Sequence, residues 1–106
     1  MASWGAFQKR VAVAGTAERL ISTALTVGSV TIQPCRGDTD TAGMNVGNVY
    51  LGGSTVSLTG TIGYALVPDG GALTFSPAGG NSYSLNDLWI NADNAGDGVE
   101  VIYNII

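Results

Sequence analysis

The sequence predicts an all-β domain, an antiparallel β-sandwich or small barrel of about eight short strands. Three observations predict it. Val, Ile, Thr, Tyr, Phe and Trp gather in short runs, the chemistry of a pleated, half-buried surface. Clusters of Gly, Pro, Asn and Asp separate the runs at roughly the 8–12-residue spacing of such folds. No stretch repeats apolar residues at helical spacing.

Residues 1–10 read as an extended N-terminal arm that carries Trp4 and Phe7 among small residues, and residues 11–106 as a single β-sandwich domain. A terminus frays unless something ties it down. Trp is a preferred interface anchor, so the arm is expected to place its rings in a pocket on a neighbouring subunit. Val11-Ala12-Val13-Ala14 followed by Gly15-Thr16 reads as a strand and turn, and residues 17–22 as a further strand, with Ile21 outweighing a single helical turn. Residues 27–33 form the clearest strand of the first half, with Val30 and Ile32 on one face and Ser29, Thr31 and Gln33 on the other. Pro34, lacking an N–H, ends it.

Residues 35–45 form a polar, Gly-punctuated loop, long enough to suspect a role. Val49-Tyr50-Leu51, Gly52-Gly53 and Ser54-Thr55-Val56 have the grammar of strand, tight turn and strand, a hairpin around which the rest is arranged. Val56-Ser57-Leu58 reads as a short edge strand. Tyr64-Ala65-Leu66-Val67 runs into the turn signal Pro68-Asp69-Gly70-Gly71, and Ala72-Leu73-Thr74-Phe75 follows as a strand. Residues 86–92 are a strand with Leu88 and Ile90 to one side and Trp89 to the other. Residues 93–98 turn, and 99–105 close the chain with Val99, Val101, Tyr103 and Ile105 on one face and Glu100 facing out.

Composition narrows the function. Only 11% of residues are charged, against about 25% in an ordinary domain. The 16 glycines are about double the usual share. A surface of Ser, Thr, Asn, Gly and Ala costs little to desolvate, which suits a protein held against neighbours. Net charge is −4 and the cations number four. Nucleic-acid binding needs clustered Lys and Arg and is disfavoured, as is adhesion to an anionic membrane. No apolar run reaches the roughly 20 residues of a spanning helix. The charges of the N-terminal segment follow its apolar residues, the reverse of a signal peptide, so synthesis and assembly in a cytoplasm are expected.

The chain has no histidine, which removes the usual general base and the commonest zinc ligand. The lone Cys35 has no imidazole to activate it and reads as a small buried apolar side chain. No catalytic residue, cofactor site or metal site is assigned. Asp93-Asn94-Ala95-Gly96-Asp97-Gly98 groups oxygen ligands ahead of a glycine but fails as an EF-hand loop, with Ala95 third and Asn104 twelfth. An Asp/Asn/Gly turn is the simpler reading, with a weak calcium site shared with Asp87 or with a neighbouring subunit as the other. Arg36-Gly37-Asp38 spells an integrin-binding tripeptide, a match of a length that arises by chance. The Gly-Gly pairs stand in turns, with no following helix or Lys to make a phosphate cradle.

Four blocks, Val30-Thr31-Ile32-Gln33, residues 48–56, residues 83–90 and residues 96–103, together resemble the small β-rich virion proteins of tailed bacteriophages. The resemblance covers about residues 27–103 and departs at Pro68-Asp69-Gly70-Gly71, where that family usually has Pro-Gly. It implies a non-enzymatic structural protein of the virion, foremost a capsid decoration or cement protein on the capsid surface. Its partners are then the major capsid protein and copies of itself, a trimer being expected at local threefold positions. The same resemblance admits a head-fibre base, tail or connector protein. A carbohydrate- or receptor-binding module is the alternative from another class. Trp4, Phe7, Arg36, Asp38 and Asp40 are the expected contact residues, from the arm and the 35–45 loop.

Overall fold

The computed structural model describes residues 3–36, 43–57, 63–68, 70–76 and 82–105. The chain is all-β, with one short 3₁₀ turn among the described residues, at Leu85–Asp87. Among the described residues ten strands run in order: β1 (Ser3–Arg10), β2 (Glu18–Arg19), β3 (Thr26–Val27), β4 (Val30–Pro34), β5 (Val49–Gly52), β6 (Tyr64–Leu66), β7 (Leu73–Phe75), β8 (Tyr83–Ser84), β9 (Trp89–Ala92) and β10 (Gly98–Ile105). They form two four-stranded antiparallel sheets, β1-β10-β4-β7 and β2-β9-β5-β6, with the small β3-β8 pair beside them.

Alternation along the strands decides what meets between the sheets. Val99 and Val101 of β10, Val30 and Ile32 of β4, Val49 and Leu51 of β5 and Ile90 and Ala92 of β9 are all buried in one core, joined by Val11, Leu20, Val27, Leu66 and Leu85. Each fully buried Val, Leu or Ile side chain gains about 1.5–3 kcal/mol over exposure, and this apolar layer holds the sandwich together.

Residues 3–10 are extended, as expected, but they are not an arm. All eight pair with β10, from Ser3 opposite Ile105 to Arg10 opposite Gly98. Phe7 turns inward, its ring centroid 6.0 Å from that of Tyr103, and packs against the core. Gly5 stands where a Cβ would collide with the Tyr103 ring, so the strand lies flat under it.

Lys9, on the same inward side, reaches across to the second sheet and pairs with Glu18 at 3.0 Å. The Glu18 carboxylate also accepts the N–H groups of Ala12 (2.8 Å) and Val13 (3.2 Å). Burial pushes its pKa up, but the Lys9 bond and the two N–H groups outweigh this and hold it below the ordinary 4.5. A depressed folded-state pKa contributes stability above the unfolded value, lost as pH falls through the folded value. Wild type is therefore expected to exceed Glu18→Gln in urea-unfolding free energy by a constant margin at neutral pH. The margin should shrink below the pH of the unfolded carboxyl; a margin that is flat down to acid unfolding rules out this role.

The Gly52-Gly53 hairpin does not form. Residues 53–57 fold back instead as a turn, closed by Val56 N–H to Gly53 C=O at 3.0 Å, and β5 pairs with the distant β6 and β9. Val56 is buried against the far side of that sheet, where its carbonyl accepts Asn91 Nδ2 at 3.1 Å. Gly63, at φ +134°, makes room for it: a Cβ there would lie 2.6 Å from Val56 Cγ2. Residues 11–14, expected as a strand, form the crossing between sheets; Val11 is buried while Val13 is exposed. The 27–33 strand is interrupted because Asn104 Oδ1 takes the Ser29 N–H at 2.6 Å, separating β3 from β4. Gly70 N–H to Val67 C=O at 2.9 Å closes the turn expected at Pro68.

Candidate interaction surface

Two places in the fold concentrate side chains that core packing does not explain: a loop cluster at one end of the sandwich and the outward face of the β1-β10-β4-β7 sheet.

At the loop end, the segments 10–11, 43–48 and 93–98 are tied by polar groups. Asn45 is buried and brackets the Gly98 backbone, donating Nδ2 to its C=O at 2.8 Å and accepting its N–H on Oδ1 at 2.9 Å. Asp97, also buried, accepts the N–H groups of Val46 (3.0 Å) and Gly47 (2.8 Å). Asp93 accepts Asn48 N–H at 3.2 Å and the Tyr50 hydroxyl at 3.3 Å. Arg10 donates to the carbonyls of Gly96 (2.7 Å) and Gly43 (2.9 Å). The carboxylates of the 93–98 turn thus face backbone N–H dipoles, whose positive ends are the wrong surroundings for a cation. Among the described residues no three or more His, Cys, Asp or Glu group as a metal site would need. These hydrogen bonds fasten the three segments to one another.

The outward sheet face is different. The register sets its side chains in rows: Ala6, Ile102, Thr31 and Thr74 across four strands, and Gln8, Glu100 and Gln33 across three. Thr31 and Thr74 hydroxyls bond at 2.9 Å, and Gln33 Nε2 donates to Glu100 Oε1 at 2.8 Å. Trp4 stands opposite Asn104 at the end of the face. A shallow groove of about 400 Å³ runs between these rows, lined by residues such as Ala6, Gln8, Thr31, Gln33, Glu100 and Ile102. Trp4 is 69% exposed and Ile102 49%, so two large apolar groups stand in water on a face whose central rows carry one carboxylate.

The expected contact residues fare unequally. Trp4 is on this face. Phe7, one strand position out of phase with it, is turned toward the sandwich and partly buried against the core. Arg36 lies beyond β4 at the opposite end of the sheet, bridged to Met44, with Nη2 donating to Gly70 C=O at 2.6 Å. Asp38 and Asp40 lie outside the described residues. Ile102 was not among the expected contact residues, nor were Thr31, Gln33 and Glu100, although the sequence set those three on outward faces; the signal for Ile102 was there, since it is out of phase with Val99, Val101 and Tyr103. No family model, curated protein or solved structure matches this chain.

Proposed function

We propose that this is a non-enzymatic structural protein of a tailed-bacteriophage virion, a decoration or cement protein that sits on the capsid surface and binds the major capsid protein between capsomers. The outward face of the first sheet carries this reading: Trp4 and Ile102 are exposed among Ala, Thr, Gln and Asn side chains, with Glu100 already bonded to Gln33. Desolvating such a face costs little, because few ions must shed water. Trp is also the residue type that most often dominates an interface energetically. A protein that clamps neighbours needs this kind of short-range packing and hydrogen bonding and no reactive group. The four strand-and-turn blocks that resemble small phage virion proteins support the same reading.

Co-sedimentation with purified, undecorated tailed-phage heads tests it. The protein is expected to pellet with the heads to a saturating copy number. Trp4→Ala, which removes an exposed ring and leaves the core untouched, is expected to weaken binding by roughly tenfold or more. Val13→Ala, on the crossing between sheets, is expected to bind as wild type. Failure to pellet, or equal binding by Trp4→Ala, overturns the reading.

A further inference from the structure

The outer side of β1 is a long open strand edge. β1 ends its sheet with eight residues, whereas β7, β2 and β6, which end the four-stranded sheets elsewhere, have three, two and three. An open edge presents a row of N–H and C=O groups that templates another strand, and folded proteins blunt it with shortness, proline, a bulge or charge. From Ser3 to Gln8, β1 has no proline and no charged residue, and its register with β10 advances one for one without a bulge. Among the described residues no strand pairs with its outer side. Lys9, the inward-pointing charge, is matched by Glu18, and Arg10 is occupied by two carbonyls.

We infer that β1 pairs with β1 of a second copy of this chain, antiparallel about a two-fold axis at Ala6, so that the two four-stranded sheets run on as one. Charge sets the direction in which two copies can meet. Two of the four cations of the chain, Lys9 and Arg10, lie at one end of β1, and the other end carries Trp4 and no charged side chain. Antiparallel self-pairing sets the cationic end of each copy beside the neutral end of the other. The two Lys9 residues are then six positions apart, roughly 20 Å at about 3.3 Å per residue, well beyond a Debye length of about 8 Å at physiological salt. A parallel pairing would stack like charges.

Alternation fixes the register further, because outward residues must meet outward residues. Centred on Ala6, the pairing places Trp4 of one copy opposite Gln8 of the other, with two small methyl groups at the axis. Centred on Phe7 it would set Trp4 against Arg10, whose guanidinium is already held by Gly96 and Gly43. The result is a closed two-fold pair, the commonest oligomer symmetry, in place of the expected trimer. It leaves the outward face free and doubles it, so two weak contacts to an ordered surface act together.

Sedimentation velocity at tens of micromolar tests the pairing without any capsid, so its outcome is separate from that of head binding. Wild type is expected to run as a dimer. Ala6→Lys sets two ammonium groups against each other at the axis and is expected to raise the dimer dissociation constant on the order of a hundredfold; Ala6 points to solvent, so the circular-dichroism spectrum stays that of wild type. Under oxidation Ala6→Cys is expected to crosslink two copies, since its thiols meet across the axis within disulfide reach, and Gln8→Cys is not. The native thiol, Cys35, is buried and takes no part. A monomeric or trimeric wild type, an Ala6→Lys variant that pairs as tightly, or equal crosslinking through position 8 overturns the inference.

Discussion

Gly98→Ala is expected to cost more than about 4 kcal/mol, the range reserved for substitutions that a fold cannot absorb. Gly98 opens β10 opposite Arg10, and a Cβ at that position would fall onto the Lys9 carbonyl oxygen and 2.6 Å from Arg10 Cα. Both obstacles are backbone, so no rotamer relieves them and β1 must move off β10. The same residue donates its N–H to Asn45 Oδ1 and its C=O accepts both Asn45 Nδ2 and Cys35 N–H, so displacement also strips buried hydrogen bonds. With total stabilities of about 5–15 kcal/mol for domains in general, the loss is a large share of the whole. Urea unfolding followed by circular dichroism reads it, with Gly53→Ala as the control. A Cβ at Gly53 meets nothing within 4 Å, so that change is expected to stay within about 0.5–1 kcal/mol. Equal midpoints for the two variants would mean that β1 and β10 do not pack as described.

How far the fold was legible depends on whether a segment is defined by its own side chains or by a distant partner. Val30 and Ile32, or Val99 and Val101, alternate with polar residues, and both strands were readable because one face is core and the other is water. The Trp4-Gly5-Ala6-Phe7 segment shows no such alternation, since Gly5 and Ala6 are small on either face. What makes it a strand is β10, at the other end of the chain. Ser54-Thr55-Val56 has the residues of a strand and becomes a turn because burying Val56 against Gly52 and Gly63 satisfies it without a ladder. Local propensity cannot tell those outcomes apart. At the candidate surface Trp4, singled out from sequence as an expected contact residue, stands exposed, whereas the inward rotation of Phe7 follows only from the register. Asn45 and Asp97 were invisible for a different reason: in Gly-rich segments they have the composition of ordinary turn formers, and only their partners reveal them as buried fasteners.

Asn45→Ala is expected to destabilise the domain by roughly 2–4 kcal/mol although Asn45 belongs to no regular strand. Truncation removes both bonds to Gly98. The Gly98 carbonyl keeps the Cys35 N–H at 3.0 Å, but its own N–H loses its acceptor in a buried position. An orphaned buried donor costs about 1–3 kcal/mol beyond the bond itself. Asn45→Asp separates bonding from shape. Its Oδ1 still accepts the Gly98 N–H, but an oxygen replaces Nδ2 at 2.8 Å from the Gly98 carbonyl, and two acceptors confront each other. Protonation restores a donor there, so the folded state favours the protonated acid and raises its pKa; Asn45→Asp should recover stability relative to wild type as pH falls, opposite in sign to the effect at Glu18. Amide hydrogen exchange locates the damage: the Gly98 N–H should lose protection in Asn45→Ala more than the amides at the centre of β5 do. If Gly98 stays as protected as in wild type and the unfolding midpoint does not move, Asn45 is not what fastens this loop to the start of β10.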